Sequence, residues 1–308
     1  MIARRSFLTT VPALAASLGL AAELPASAGT GAPMLTAYVG GRAVARTEVL
    51  RWEARRVRVV AQRLAHHLPT ALVAELDALL RRPSLSTAEL ARDRALLVAV
   101  KQEMGERRIR RLLATDLALS APASRLAGSL GAWSLSRARL VSTQGTAQGF
   151  VDWFVARGDR NDEATLLEAC PDHYLLHSPQ PGVQEVIEVT GGAVLASRFL
   201  IDYADRTDVP VTRDADCPVE LAGWATTGDG RRIGAVRHQF RDVPGGGFEA
   251  RLAIAFPSTL PPWMLTEHRW HLACEFSTGW RPTWPSRPAP DRGGCRRPGV
   301  GWRLHPRS

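Results

Sequence analysis

Lysine is nearly absent from this 308-residue chain: Lys101 stands alone against 38 arginines. Tyrosine (3), methionine (4) and cysteine (4) are also scarce. Cys170, Cys217, Cys274 and Cys295 are too few and too scattered to staple a mini-protein. None of them falls in a spacing that suggests zinc, so no metal site and no cofactor is expected. There is no G-x-S-x-G elbow, HExxH, phosphate loop or dinucleotide fingerprint. Those gaps remove the usual sequence signatures of serine hydrolases, zinc proteases, nucleotidases and dinucleotide enzymes. No apolar run reaches the roughly 20 residues of a spanning helix, so the mature chain is expected to carry no transmembrane span.

The formal charge of +9 is concentrated at the ends. Residues 1–28 carry +1 (Arg4, Arg5, Glu23) and residues 277–308 carry +6 (seven Arg, one Asp), which leaves +2 on the body. A nearly neutral body is not a nucleic-acid binder by charge, and no nucleic-acid partner is expected.

At the amino terminus, Arg4 and Arg5 stand before an apolar stretch from Phe7 to Ala22, and Ala26-Ser27-Ala28 supplies small residues for cleavage. A charged start, a short apolar middle and a small-residue site form a signal peptide. Arg4-Arg5-Ser6-Phe7-Leu8 resembles the twin-arginine family of export signals, with Ala3 before the pair and Thr9 where lysine is common. The resemblance covers residues 1–28 only and implies delivery of a folded protein, with the export machinery as partner. An ordinary secretory signal leaves the same expectation, a secreted or extracytoplasmic (cell-envelope) protein beginning near Gly29. Beyond residue 28 the chain resembles no family that can be named.

Residues 29–132 are expected to form a helical region. Val49, Trp52, Val57, Val60 and Leu64 recur at helical spacing. Arg51, Arg55 and Arg58 lie opposite, on a face that suits solvent or an anionic envelope polymer. Pro69 and Pro83 bound a second helix, and Ser86 with Glu89 forms a capping box for a third. A linker marked by Ser120, Pro122, Gly128 and Gly131 follows. Residues 133–276 are then expected to form a sheet domain, opened by a helix at about 146–157. Alternating runs at 173–178, 183–190, 193–203, 219–227, 231–242, 248–256 and 267–276 are divided by Pro181-Gly182, Gly191-Gly192, Gly228-Asp229-Gly230 and Gly245-Gly246-Gly247. Short glycine turns join antiparallel neighbours. The expected fold is therefore α+β: an N-terminal helical region followed by a curved antiparallel meander, a cup or half-barrel, with covering helices. That order looks broadly like the cup-shaped nuclear-transport-factor-like and cyclase-like folds. Residues 277–308, rich in Arg, Pro, Gly and Trp, read as a disordered basic tail, with the composition of an out-of-frame stretch of a GC-rich gene.

Alternation sorts the candidate site residues. His238 shares a side with Val236 and Phe240. Taken as a strand, 267–276 puts His268 with Trp270 and Leu272 on the covered face, and Arg269, His271 and Glu275 on the other. His238 and His268, with Asp202 on the 193–203 strand, are the candidate catalytic residues. Cys170 and Cys217, each before a proline at a strand start, are a possible disulfide in an oxidising compartment. The acidic residues from Asp202 to Asp216 lack the regular oxygen spacing of a calcium loop. The function expected is binding of a small or lipid-like ligand in an apolar pocket. The alternatives are a cofactor-free hydrolase or isomerase using an inward histidine, and a structural cell-envelope protein.

Overall fold

A computed structural model describes residues 34–65, 70–82 and 86–278. The signal segment with Arg4, Arg5, Phe7, Leu8, Ala26 and Ala28, the prolines Pro69 and Pro83, Cys295 and the tail beyond Thr278 lie outside them.

The chain opens with a hairpin, β1 (Leu35–Val39) and β2 (Arg42–Val44), turned at Gly40-Gly41. Both glycines have positive φ, +60° and +81°, which a two-residue hairpin turn demands. Helices α1 (Arg46–Ala65), α2 (Thr70–Arg81), α3 (Thr87–Leu112) and α4 (Ala114–Ser129) follow before β3 (Trp133–Ser142). Next come α5 (Ala147–Asp159), α6 (Glu163–Ala169), β4 (His173–Gln180), β5 (Val183–Glu188), β6 (Ser197–Asp202), β7 (Val219–Thr226), β8 (Arg232–Asp242), β9 (Phe248–Pro257) and α7 (Pro262–Thr278).

Among the described residues, nine strands form one antiparallel sheet in the order β2-β1-β3-β9-β8-β7-β6-β5-β4. The α+β class and the antiparallel meander β4 to β9 follow the sequence pattern. The N-terminal helical region preceding a sheet does not. β1 and β2 come before α1 to α4 and join the same sheet as β3, so these helices are an excursion between strands of one sheet. Two further segments change type. The expected linker around Pro122 is the helix α4, with the proline inside it. The expected strand 267–276 is the helix α7, which also takes in Ser277 and Thr278 from the expected tail.

Local chemistry explains the helices. Ser86 Oγ accepts from the Glu89 amide (3.3 Å) while the Glu89 carboxylate accepts from the Ser86 amide (2.6 Å), the expected capping box. Thr146 caps α5 by accepting from Gly149 N at 3.1 Å, and Asp162 caps α6 by accepting from Thr165 N at 3.4 Å. Arg58 donates to the carbonyls of Leu80 and Arg82 at the end of α2, where helix carbonyls lack partners.

One core joins sheet and helices: Val49 and Trp52 of α1, Phe150 of α5, and Leu272 and Phe276 of α7 pack on Leu140, Phe240, Phe248 and Leu252. Phe150 rings lie 5.3–5.9 Å from Phe240, Phe248 and Phe276, within the range of favourable aromatic pairs. Trp224, Ala235, Ala253 and Ala255 form a separate cluster with Val209 and Val211 of the 203–218 connection. That connection is pinned by Trp224 Nε1 donating to Thr207 O at 2.7 Å and Gln239 donating to Thr212 O at 3.1 Å.

Candidate functional site

Between the sheet and helices α4 and α7 lies a cavity of about 430 Å³, within the range of small-molecule sites, about 300–1,000 Å³. Its origin is a shortage of bulk. Helix α4 turns Ser120, Ala123, Ser124 and Ala127 toward it, and the sheet answers with Ala225 and Gly234. Small residues facing small residues cannot fill the space their backbones leave. Phe199, Ile201, Ile254 and Phe256 make the walls apolar, and the half-exposed Trp263 stands at the rim with the exposed Val194.

The other end of the cavity is polar. His173 opens β4 and Glu188 closes β5, and the register sets them directly opposite each other. Helix α7 brings His268, His271 and Glu275 to the same end, at i, i+3 and i+7 on one helical face. His173 Nε2 lies 3.2 Å from His271 Nε2, 3.5 Å from Glu188 Oε2 and 3.9 Å from Glu275 Oε1. His271 Nε2 lies 3.7 Å from Glu188 and 3.9 Å from Glu275. His173 Nδ1 sits 3.2 Å from the Leu166 carbonyl. Because a carbonyl only accepts, Nδ1 carries the proton and Nε2 offers its lone pair to the cluster. His271 Nδ1 meets the Cys170 thiol at 3.7 Å, and His268 Nδ1 meets Ser136 Oγ at 3.0 Å.

Buried basic side chains hold this end in place. Lys101, itself buried, donates to the carbonyls of Pro171 (2.8 Å) and His173. Arg56 grips both oxygens of Asp172 at 2.8–2.9 Å. The segment 170–173 is thus tied to α1 through Asp172 and to α3 through the carbonyls of Pro171 and His173.

Burial sets the charge states. His173, His238 and His271 are pushed down to about 3 by loss of hydration, with His271 adding to the fall at His173 and Arg56 to that at His271. His268 is pushed well below its ordinary value by burial and by the neighbouring imidazoles. Burial raises Glu188 to about 7, and burial with the nearby Glu188 raises Glu275 to about 8. All four histidines are neutral at pH 7.

His238 and His268, singled out by alternation, both line the cavity. His238 does so beside Phe240 as expected, accepting from Ala253 N at 3.3 Å. His268 gets there from a helix. His271, expected in water opposite His268, is buried and stacks on it at 5.3 Å, because helical spacing returns i and i+3 to one side. Asp202 stays outside the cavity, its carboxylate accepting from Ala204 N at 2.9 Å, while its neighbours Ile201 and Tyr203 face in. Cys170 and Cys217 are free thiols. They precede β4 and β7, strands three positions apart and so about 14 Å across the sheet, far beyond disulfide reach. Cys170 lies instead near Cys274, whose thiol contributes to the raised pKa of Cys170 after burial.

His173, Glu188 and Glu275 were missed by sequence reasoning. Two signals were present: Cys170 and His173 are three apart, and His271 and Glu275 are four apart behind Pro261-Pro262, a proline pair that opens helices more readily than strands. Cys170, His173 and His271 offer ligand atoms within 4.8 Å of one another. A second group, Asp214, Asp216 and Cys217, is already answered by guanidinium groups, Arg251 to Asp214 at 2.9 Å and Arg251 and Arg241 to Asp216 at 2.7–2.8 Å. No helix among the described residues is long and apolar enough to cross a membrane.

No family model matches the chain, and neither a curated protein nor a solved structure matches it significantly.

Proposed function

We propose that the chain is an exported protein, sent out by the twin-arginine-like signal at 1–28, that takes a small amphipathic ligand into the cavity between the sheet and helices α4 and α7. The carrying observation is the cavity's polarity: about 430 Å³ of space, apolar along α4 and the sheet, with His173, Glu188, His268, His271 and Glu275 gathered at one end. An apolar body contributes affinity by burial, and a few convergent polar groups fix orientation. The half-exposed Trp263 and exposed Val194 at the rim suit entry of an apolar tail. A solid envelope protein has no use for such a space.

The test uses a fluorescent long-chain carboxylate titrated into the purified mature protein. Saturable binding at one site, weakened at least tenfold by Ala127→Phe, supports the reading. Ala127 projects from α4 into the cavity, so the phenyl ring takes the ligand's place. Binding unaltered by that substitution sinks it. A second reading, a hydrolase or isomerase using an inward histidine, rests on His238 and His268 lining the same space. Turnover of a bound ester or enolisable ketone, lost in His268→Gln, separates it from binding alone.

A further inference from the structure

Four of the five polar side chains at the end of the cavity, His173, Glu188, His271 and Glu275, are closer to a ligand shell than to a hydrogen-bond network. Hydrogen bonding between the two Nε2 atoms accounts for the 3.2 Å contact of His173 with His271, but both oxygens of Glu275 stand 3.9 Å from an imidazole nitrogen, beyond hydrogen-bond reach. In a tetrahedral site with metal–nitrogen and metal–oxygen bonds of about 2.0–2.2 Å, neighbouring donor atoms are about 3.3–3.5 Å apart. His173 Nε2, His271 Nε2 and Glu188 Oε2 form a triangle of 3.2, 3.5 and 3.7 Å, within roughly 0.3 Å of that edge, and the Glu275 carboxylate straddles the two rings, Oε1 3.9 Å from His173 and Oε2 3.9 Å from His271, so that a small rotation brings one oxygen to the fourth corner.

The surroundings agree. His173 donates its Nδ1 proton to the Leu166 carbonyl, the usual outer contact of a ligating histidine, which fixes the ring and turns Nε2 inward. Cys170 Sγ meets Nδ1 of His271, on the side of the ring away from the cluster, so it orients His271 rather than competing with Nε2. Glu188 is steadied by Thr190, which donates to its other oxygen at 2.8 Å. His271 and Glu275 stand four apart on α7, one turn of a rigid helix, and His173 and Glu188 are paired across β4 and β5. Both supports are regular secondary structure.

We propose that His173, Glu188, His271 and Glu275 bind one divalent transition-metal ion, zinc foremost, at the polar end of the cavity. Two imidazoles and two carboxylates are borderline-hard donors that suit zinc, and iron(II), manganese(II) or cobalt(II) less tightly or less often. The ion lies where the polar end of a cavity ligand arrives, since all four residues line that space. The inference goes beyond ligand binding and does not depend on it.

The experiment uses the mature protein after dialysis against a chelator, at one fixed pH with no organic ligand added. Cobalt(II) titration should give the visible absorption of a tetrahedral ion, saturating at one equivalent and abolished by one equivalent of zinc. Calorimetry with zinc should give one site. Glu275→Gln and His271→Gln should each weaken zinc at least tenfold, while Cys170→Ser leaves the stoichiometry at one. Circular dichroism of each metal-free variant checks its fold. The cobalt spectrum and stoichiometry are read on the unsubstituted protein, so they decide even if both ligand variants misfold. Cobalt that stays octahedral, stoichiometry well below one, or affinity unchanged in folded Glu275→Gln and His271→Gln overturns the proposal.

Discussion

Breaking the Arg56–Asp172 pair should be among the most damaging single changes in the molecule. The Asp172 side chain is wholly buried and that of Arg56 is 11 % exposed, with three nitrogen–oxygen contacts at 2.8–2.9 Å. Asp172→Ala leaves a guanidinium out of water with no counter-charge, and removing one partner of a buried pair costs about 3–5 kcal/mol. With a urea slope near about 3 kcal/mol/M, the upper end for small proteins, the midpoint should fall by about 1–1.7 M. Arg56→Met should cost a similar amount, because it strands the carboxylate. The double variant Arg56→Met/Asp172→Leu should recover most of the loss, since matched apolar groups owe no desolvation. Urea unfolding followed by tryptophan fluorescence measures all three. A loss below about 1 kcal/mol in either single variant, or a double variant as unstable as the sum of the singles, refutes the view that the pair is held in a dry site.

Gly191 has φ +56°, and a Cβ there would lie 2.6 Å from Met264 O and 2.9 Å from His268 Cβ, whereas Gly230 at φ +80° has nothing within 4 Å. Gly191→Ala should therefore cost about 2–4 kcal/mol and Gly230→Ala about 1, read by thermal unfolding; equal losses would mean that helix α7 does not press on this turn. His238, pushed down to about 3 by burial, should show no titration of its ring proton signals between pH 8 and 5, with His238→Gln giving the assignment, and a midpoint near 6.5 would place it in water. Its folded pKa lies below the unfolded value, so its contribution to stability is complete above pH 6.5. It falls by up to about 1.4 kcal/mol per unit as pH drops toward 3. Mass spectrometry of the exported protein should find Gly29 at the amino terminus, and Arg4→Lys with Arg5→Lys should stop export; unaltered export in that variant would leave only the general secretory route.

The meander from β4 to β9 was legible because its strands read as alternating runs and four of its five connections carry glycine turn chemistry, as Phe248, Ala250 and Leu252 show with Gly245-Gly246-Gly247 before them; the 203–218 connection has no glycine. Helix α7 was not, for a physical reason. His268, His271, Leu272, Ala273, Cys274 and Phe276 are all buried, and a helix surrounded on most sides shows no contrast between faces. Any evenly spaced subset, such as Trp270, Leu272, Cys274 and Phe276, then imitates a strand. Strand β3 hid for the opposite reason: Ser136 and Ser142 occupy buried positions, so its inward face reads as polar. Pro122 and Gly128 made α4 look like a linker, although Gly128 is required by contact, since a Cβ would come within 2.4 Å of Arg232 O. Of the site, single-strand alternation reaches His238. It cannot reach the His173–Glu188 pair, which depends on the register between two strands.

The ten-residue ladder between β3 and β9 joins segments more than a hundred residues apart, from Ser142 with Phe248 to Trp133 with Pro257. Everything between β4 and β9 can pair with its immediate neighbour, so this ladder costs the most loop entropy of any pairing in the sheet, and that entropy must be met before any of its ten pairs forms. Until then β9 is an uncovered edge with a strongly apolar face, open to association with other chains. Folding inside the producing cell would close that edge before the chain leaves, whereas threading unfolded would expose it on the far side. Under the proposed export, the route taken bears on aggregation as well as on destination.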